Sequence, residues 1–288
     1  MTIEIAREAG ACFGVQRALD LAKKLSAEVS GPLYTLGPLI HNPRVVADLE
    51  AHGVKAIDDA RDAGEGATML LRTHGVSPSV ERAAEEAGAH VVDATCPFVK
   101  KCHKLAERLA EEGYQVIVVG EHDHPEVEGT VGHAPDALVV EDASELASVT
   151  LARRVGVVVQ TTQTQANLRA VVGALVGRVE ELRLYDTICD ATAKRQAAAA
   201  ELAQRADAMV IIGGRISANT TRLAEICAQK CANTHHIEDA GELDAAWFAG
   251  AQLVGITAGA STPQEHIAEV HDAIERLVGT SVRAAAEP

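Results

Sequence analysis

Aromatic side chains are scarce in this 288-residue chain, with one Trp, three Tyr and three Phe. Few rings are left on which bases could stack. Cations are in deficit too: 26 Lys and Arg stand against 41 Asp and Glu, for a net charge of −15. Binding a phosphate backbone needs surplus cations, so no nucleic-acid partner is expected. No apolar run approaches the ~20 residues of a membrane span, and Met1-Thr-Ile-Glu-Ile-Ala-Arg-Glu8 has no apolar leader core. The expectation is a cytoplasmic protein with no membrane partner. Neither a P-loop nor a GxGxxG stretch is present, so no motif speaks for nucleotide binding. A low-complexity linker is also lacking.

What is present is material for a packed core. Hydrophobic residues make up 47% and charged residues 23%, the balance of a globular chain. At ~150 residues per domain, the length suggests about two domains. Short runs rich in β-branched residues alternate with longer helical stretches. Strands are expected at 3–6, 33–36, 68–72, 90–92, 115–119, 155–160, 181–184, 209–212 and 252–257. Helices are expected at 15–28, 43–51, 77–87, 98–111, 165–176, 191–205, 220–230 and 263–277. This alternation implies α/β layers with mostly parallel sheets. Six cysteines in a reducing compartment favour metal binding or catalysis over disulfides.

A repeat emerges when the cysteines are used as anchors. Asp93-Ala-Thr-Cys96 and Asp186-Thr-Ile-Cys189 each end a strand and open a helix. Gly120 and Gly213 follow 24 residues after Cys96 and Cys189, and Gly37 follows 25 after Cys12. Four residues past each glycine stands a polar residue: His41, His124 or Ser217. A later strand in each copy ends in Thr73-His74-Gly75, Gln160-Thr161-Thr162 or Thr257-Ala-Gly-Ala-Ser261. The chain thus reads as three α/β units of roughly 90 residues. Their bounds are 13–96, 97–189 and 190–280 plus 1–12, with a tail at 281–288. Such sheets hold ligands at the carboxyl ends of their strands. The fold expected is three similar units around a pseudo-threefold axis, with an iron–sulfur cluster at the centre.

Three convergent thiols lack the fourth ligand usual for structural zinc, and three cannot all pair as disulfides. They suit a 4Fe–4S cluster with one iron open to substrate. The alternative is three unrelated buried cysteines, which the matched spacings disfavour. Cys227 and Cys231 begin a C-x3-C-x2-C pattern, but position 234 is Thr, so they read as core or surface thiols. Cys102, beside His103 within a helix, reads as packing. Glu121-His-Asp-His-Pro-Glu-Val-Glu128 packs acids and imidazoles together. His122 with His124 as zinc ligands lack a third partner, and a solvated loop is the plain reading. Placed after a strand, the segment is better read as a proton-transfer site, because a carboxylate beside an imidazole can be tuned toward neutral pH. His41, His74, Ser217, Asn219 and Ser261 are donors at element ends. Singly each is a cap or turn residue; in repeat they can hold an anion without lysine.

The ordered set resembles the 4-hydroxy-3-methylbut-2-enyl diphosphate reductase (LytB or IspH) family. The stretches that carry the likeness begin with Ala11-Cys-Phe-Gly-Val-Gln-Arg-Ala18, Leu39-Ile-His-Asn-Pro43, Thr73-His-Gly-Val-Ser77 and Asp93-Ala-Thr-Cys-Pro97. They continue with His124-Pro-Glu-Val-Glu-Gly129, Gln160-Thr-Thr162, Asp186-Thr-Ile-Cys-Asp-Ala-Thr192, Arg195-Gln196, Ser217-Ala-Asn219 and Thr257-Ala-Gly-Ala-Ser261. The resemblance implies Cys12, Cys96 and Cys189 as ligands of a 4Fe–4S cluster whose open iron takes the substrate hydroxyl. It implies His41, His74, His124, Ser217, Asn219 and Ser261 around the diphosphate, and Thr161 at the hydroxyl end. Glu126, with His124 nearby, would deliver protons, and a ferredoxin or flavodoxin would deliver electrons. Ala218 stands where the family often has a second serine. Two other readings remain: a quinolinate-synthase-like enzyme with three cysteines, and a non-catalytic iron–sulfur redox sensor. The His124–Gly129 stretch argues against both.

Overall fold

The computed structural model describes residues 1–284. Its strands form three four-stranded sheets in which every pairing is parallel. The chain opens with β1 (Thr2–Ile5) and α1 (Phe13–Glu28), then enters a sheet made of β2 (Leu33–Leu36), β3 (Val54–Ile57), β4 (Thr68–Leu71) and β5 (His90–Asp93). Between these strands run α2 (Pro43–Ala51) and α3 (Pro78–Glu86). Helix α4 (Pro97–Glu111) leads to the next sheet, β6 (Gln115–Val119), β7 (Leu138–Val140), β8 (Arg154–Val159) and β9 (Glu181–Leu184), with α5 (Pro125–His133) and α6 (Gln165–Leu175) between. After α7 (Asp190–Ala203) come β10 (Ala208–Ile212), α8 (Ala218–Ala228), β11 (Thr234–Ile237), β12 (Leu253–Ala258) and α9 (Gln264–Ala284).

The strand orders are β3-β2-β4-β5, β7-β6-β8-β9 and, read from its other edge, β11-β10-β12-β1. All three sheets share one topology, and the third takes its last strand from the N-terminus. That is the closure expected from the cysteine repeat. In each sheet the order reverses between the first and third strands, β2/β4, β6/β8 and β10/β12. Crevices for ligands open at such switch points, beyond the strand carboxyl ends.

The inner strands are nearly all apolar because both faces are covered. Thus Val116–Val119, Val155–Val159 and Ala208–Ile212 are buried along their length. Each such fully buried Val or Ile contributes about 1.5–3 kcal/mol by leaving water. Helix α4 shows how the covering works. Val99, Cys102, His103, Ala106 and Leu109 fall on one stripe and are buried, as a 3.6-residue period requires.

By compactness the chain divides into two units. One holds 13–40 and 44–189, hence the β2–β5 and β6–β9 sheets; the other holds 1–12, 41–43 and the chain from Asp190 onward. The second contains the β10–β12 and β1 sheet around a core of Val210, Ile212, Val254, Ile256 and Ile267. Helix α9 continues to Ala284, into the stretch expected as tail; 285–288 lie outside the described residues. No described helix is long and apolar enough to cross a membrane.

Three strands and one helix were not expected from the sequence. β3, β7 and β11 are short edge strands: in β3 and β11 polar or exposed residues interrupt the apolar run, as in Thr234-His-His-Ile237, and β7 is only the three residues Leu138–Val140. Helix α5 holds Gly129 and Gly132, which weaken any helical signal. Its start is set by His124 as N-cap and Pro125 in the first turn.

Candidate active site

All three repeat cysteines stand directly before a helix: Cys12 before α1, Cys96 before α4 and Cys189 before α7. Cys96 is the N-cap of its helix, with Pro97 behind it. A thiolate there gains from the positive end of the helix dipole. The backbone amides repeat as well. Cys12 donates to the carbonyl of Ala260 at 3.1 Å, Cys96 to that of Thr73 at 3.0 Å, and Cys189 to that of Thr161 at 3.0 Å. Each cysteine is therefore fastened to the loop that leaves the third strand of a sheet, β12, β4 or β8. None of the six cysteines is in a disulfide, and the three at helix starts are half-buried.

In the unit of the β2–β5 and β6–β9 sheets, Glu126 is the most telling side chain. It lies in the first turn of α5 and is only 2% exposed. Its Oε1 accepts the amide of Thr161 at 2.6 Å and its Oε2 accepts the Thr161 hydroxyl at 2.8 Å. Burial pushes the carboxyl up to about 7, Thr161 pulling it back and the charge of Glu121 adding to the rise. The same Thr161 carries the Cys189 amide on its carbonyl. Buried His124 accepts the Glu126 amide at Nδ1, 3.1 Å away. In the neutral ring this leaves the proton on Nε2. The His74 ring meets the His124 ring edge-on, with centroids 5.5 Å apart.

His74 sits on a turn that needs glycine. Gly75 has φ +74°, and a Cβ there would lie 2.5 Å from His103 Cε1. His103 itself is buried and stacked on His133, and burial lowers its pKa to about 4, so it packs as a neutral ring. Gln160, a polar strand end to which sequence reasoning assigned no role of its own, holds the loop after β6: its Oε1 accepts the Glu121 amide at 2.9 Å. The clue in the sequence was an amide side chain where a buried strand ends.

In the other unit, Ser217 caps α8, its hydroxyl accepting the Thr220 amide at 3.4 Å. The Ser261 hydroxyl donates to the His41 carbonyl at 3.1 Å, and Asn42 Nδ2 donates to the Ser261 carbonyl at 2.9 Å. Residues 41–42 and the loop after β12 are thereby tied together within this unit. Asn219 is 5% exposed, yet neither its Oδ1 nor its Nδ2 has a protein partner. A buried amide left in this way is destabilising unless a ligand completes it.

A family model described as LytB protein matches residues 3–275. The chain belongs to that family. The motif resemblance is thus borne out over almost the whole length. A 4-hydroxy-3-methylbut-2-enyl diphosphate reductase from Pelobacter propionicus is 48% identical over 94% of this chain and 96% of its own. Its counterpart from Geobacter sulfurreducens is 48% identical over 96% and 98%. A solved structure of (E)-4-hydroxy-3-methyl-but-2-enyl diphosphate reductase, described as the terminal enzyme of the non-mevalonate pathway, aligns with TM-score 0.71. It is 43% identical and covers 96% of this chain and 100% of its own. The E-1-hydroxy-2-methyl-but-2-enyl-4-diphosphate reductase from Plasmodium falciparum aligns with TM-score 0.90 at 25% identity, over 94% and 86%.

The remaining sequence candidates sort themselves. His122 is exposed and pairs with Glu145 at 3.0 Å, whereas His124 is buried as a helix cap, so the two do not act as a zinc pair. Cys227 and Cys231 pack in an apolar cluster with Met209, Ile211 and Leu223, the core rather than the surface of the two places left open by their spacing. Cys102 is fully buried, and its thiol is pushed up to about 12 by desolvation.

Proposed function

We propose that this LytB-family chain reduces (E)-4-hydroxy-3-methylbut-2-enyl diphosphate to isopentenyl and dimethylallyl diphosphate. Two electrons and two protons remove the allylic hydroxyl as water. Cys12, Cys96 and Cys189 together hold a 4Fe–4S cluster with one iron left without a protein ligand. Each α/β unit, 13–96, 97–189 and 190–280 plus 1–12, supplies or completes one cysteine loop. The donor set fits: three half-buried thiols outside any disulfide, each at a helix start and each fixed through its own amide. When bound, the cluster would supply the electrons and a Lewis-acidic iron.

The chain's own groups do the rest. Hydroxide leaves poorly, so a proton must reach it. Glu126, with its carboxyl pushed up to about 7, holds that proton near neutral pH. The two bonds from Thr161 fix the carboxyl in place, and in this reading the Thr161 hydroxyl orders the alcohol end of the substrate. His41, His74, His124, Ser217, Asn219 and Ser261 take the diphosphate. The buried Asn219 amide, lacking a protein partner, is ready to donate. Holding this remote group restricts the alcohol to a reactive pose and contributes to the rate through orientation. A ferredoxin or flavodoxin serves as electron donor, and the reducing cytoplasm suits three ligand thiols.

The observation that carries this reading is the buried Glu126–Thr161 pair, joined through the Thr161 carbonyl to the Cys189 amide. A redox sensor without turnover has no use for it. The test is anaerobic reconstitution followed by assay with the allylic diphosphate under strong reduction. Release of both isoprenoid diphosphates is expected. An intact cluster without turnover of that substrate would replace this reading with the sensor.

A further inference from the structure

Every helix that starts at a repeat cysteine carries, five or six residues on, a side chain that reaches the loop before another of the three. Arg17 of α1 stands five residues past Cys12. Its guanidinium donates to the carbonyls of Asp93, Ala94 and Thr95, each at 3.3 Å. Those are the three residues before Cys96. Cys102 of α4 stands six residues past Cys96. Its sulfur lies 3.7 Å from the hydroxyl of Thr187, two residues before Cys189, and 3.6 Å from the Val159 carbonyl. That same hydroxyl accepts the Val159 amide at 2.8 Å. Arg195 of α7 stands six residues past Cys189. It is 3% exposed and donates to the carbonyl of Gly10, two residues before Cys12, at 2.8 Å. Each contact lies within one compact unit.

The chemistry of each clasp matches its loop. Residues 93–95 and Gly10 turn backbone carbonyls toward a helix, and such groups need donors. A guanidinium presents five N–H donors in a rigid planar fork, which suits it to serve several fixed carbonyls at once. Gly10, at φ +101°, follows a path that a side chain would strain, and a Cβ there would lie 2.9 Å from Ile267 Cδ1. The loop before Cys189 already has Thr187 bonded to Val159, so a small neutral thiol completes it.

We propose that Arg17, Cys102 and Arg195 are positioning residues for the cluster thiols: the helix begun by one cysteine holds the loop that presents the next. Connectivity runs from Cys12 to Cys96, from Cys96 to Cys189, and from Cys189 back to Cys12. The proposal rests on the reading that these three cysteines bind one cluster. It has a consequence that simple local packing lacks. Damage at a clasp appears at the following cysteine, not at the one that begins its own helix.

The test compares wild type with Arg17→Met and Arg195→Met as full-length chains. In the reduced, cluster-free state, alkylation of each cysteine by iodoacetamide is timed by mass spectrometry. Arg17→Met is expected to speed alkylation of Cys96 about tenfold, with Cys12 and Cys189 within about twofold of wild type. Arg195→Met is expected to do the same at Cys12. After anaerobic reconstitution, both variants should lose iron to a chelator faster than wild type. Unchanged rates, a rise at the cysteine of the same helix, or a uniform rise that includes the core thiol Cys227 would overturn the proposal. Should the Met variants fail to fold, Arg17→Lys and Arg195→Lys keep the charge but lose the fork. They should show the same asymmetry at smaller size, and its absence overturns the proposal equally. The reading of the cluster fails separately, if wild type takes up no iron while the alkylation asymmetry persists.

Discussion

Replacing Glu126 by Gln tests the proton path and the electrostatics together. The two residues are nearly isosteric. Gln can still accept the Thr161 amide at Oε1, and the Thr161 hydroxyl can turn to accept from Nε2, so the fold has no reason to change. What disappears is the proton. General acid catalysis contributes ~10²–10⁴-fold, and kcat should fall by that order while iron content stays at the wild-type level. The wild-type kcat/KM should decline as pH rises through about 7, where the buried carboxyl ionises. The same residue affects stability. Below pH 4.5 both the folded and unfolded chains hold the proton, and the group is neutral to folding. Between 4.5 and about 7 only the folded chain holds it, so stability falls as pH rises. Above about 7 the full burden stands, about 3 kcal/mol for a carboxyl raised from 4.5 to about 7. Urea unfolding of the cluster-free chain at pH 5 and pH 8 should show the variant gaining on wild type at the higher pH. The reasoning is refuted if the variant turns over within about threefold of wild type, since an acid so placed contributes far more. A wild-type rate that stays flat across neutral pH refutes the assigned ionisation.

Three further outcomes are expected. Single Ser replacements of Cys12, Cys96 or Cys189 should each lower bound iron, whereas Cys227→Ser, in the apolar cluster, should leave it unchanged; iron analysis and optical spectra decide. Thr161→Val removes the hydroxyl bond that holds the Glu126 carboxyl down, so the alkaline limb of the pH–rate profile should move to higher pH as kcat drops. Asn219→Leu removes two buried polar atoms without protein partners. It should stabilise the ligand-free chain to urea by about 1–3 kcal/mol and raise the KM for the diphosphate at least about tenfold.

Sequence alone determined the class of the fold and most of its elements. Strong apolar periodicity marks the inner strands and the long helices, and there propensity, burial and length agree. β2, β6 and β9 lie where their residues placed them, and the N-terminal strand closes the third sheet as the cysteine repeat required. The cysteines and the polar loop tips were legible because they recur at matched spacing. Edge strands β3, β7 and β11 were not legible: each is short and is held by hydrogen bonds from one neighbour, β2, β6 or β10, and the side chains of β3 and β11 are mixed. Only tertiary structure decided what each polar residue does. His122 and His124 are two residues apart, yet one is a solvated partner of Glu145 and the other a buried cap. The environment of Glu126 arises because β6 and β8 lie side by side, which sets the loop after one against the loop after the other. That adjacency removes water from a carboxyl and offers it Thr161 in exchange, and ionisation follows local solvation. Local sequence encodes which groups a segment carries; the sheet order encodes which of them share a space.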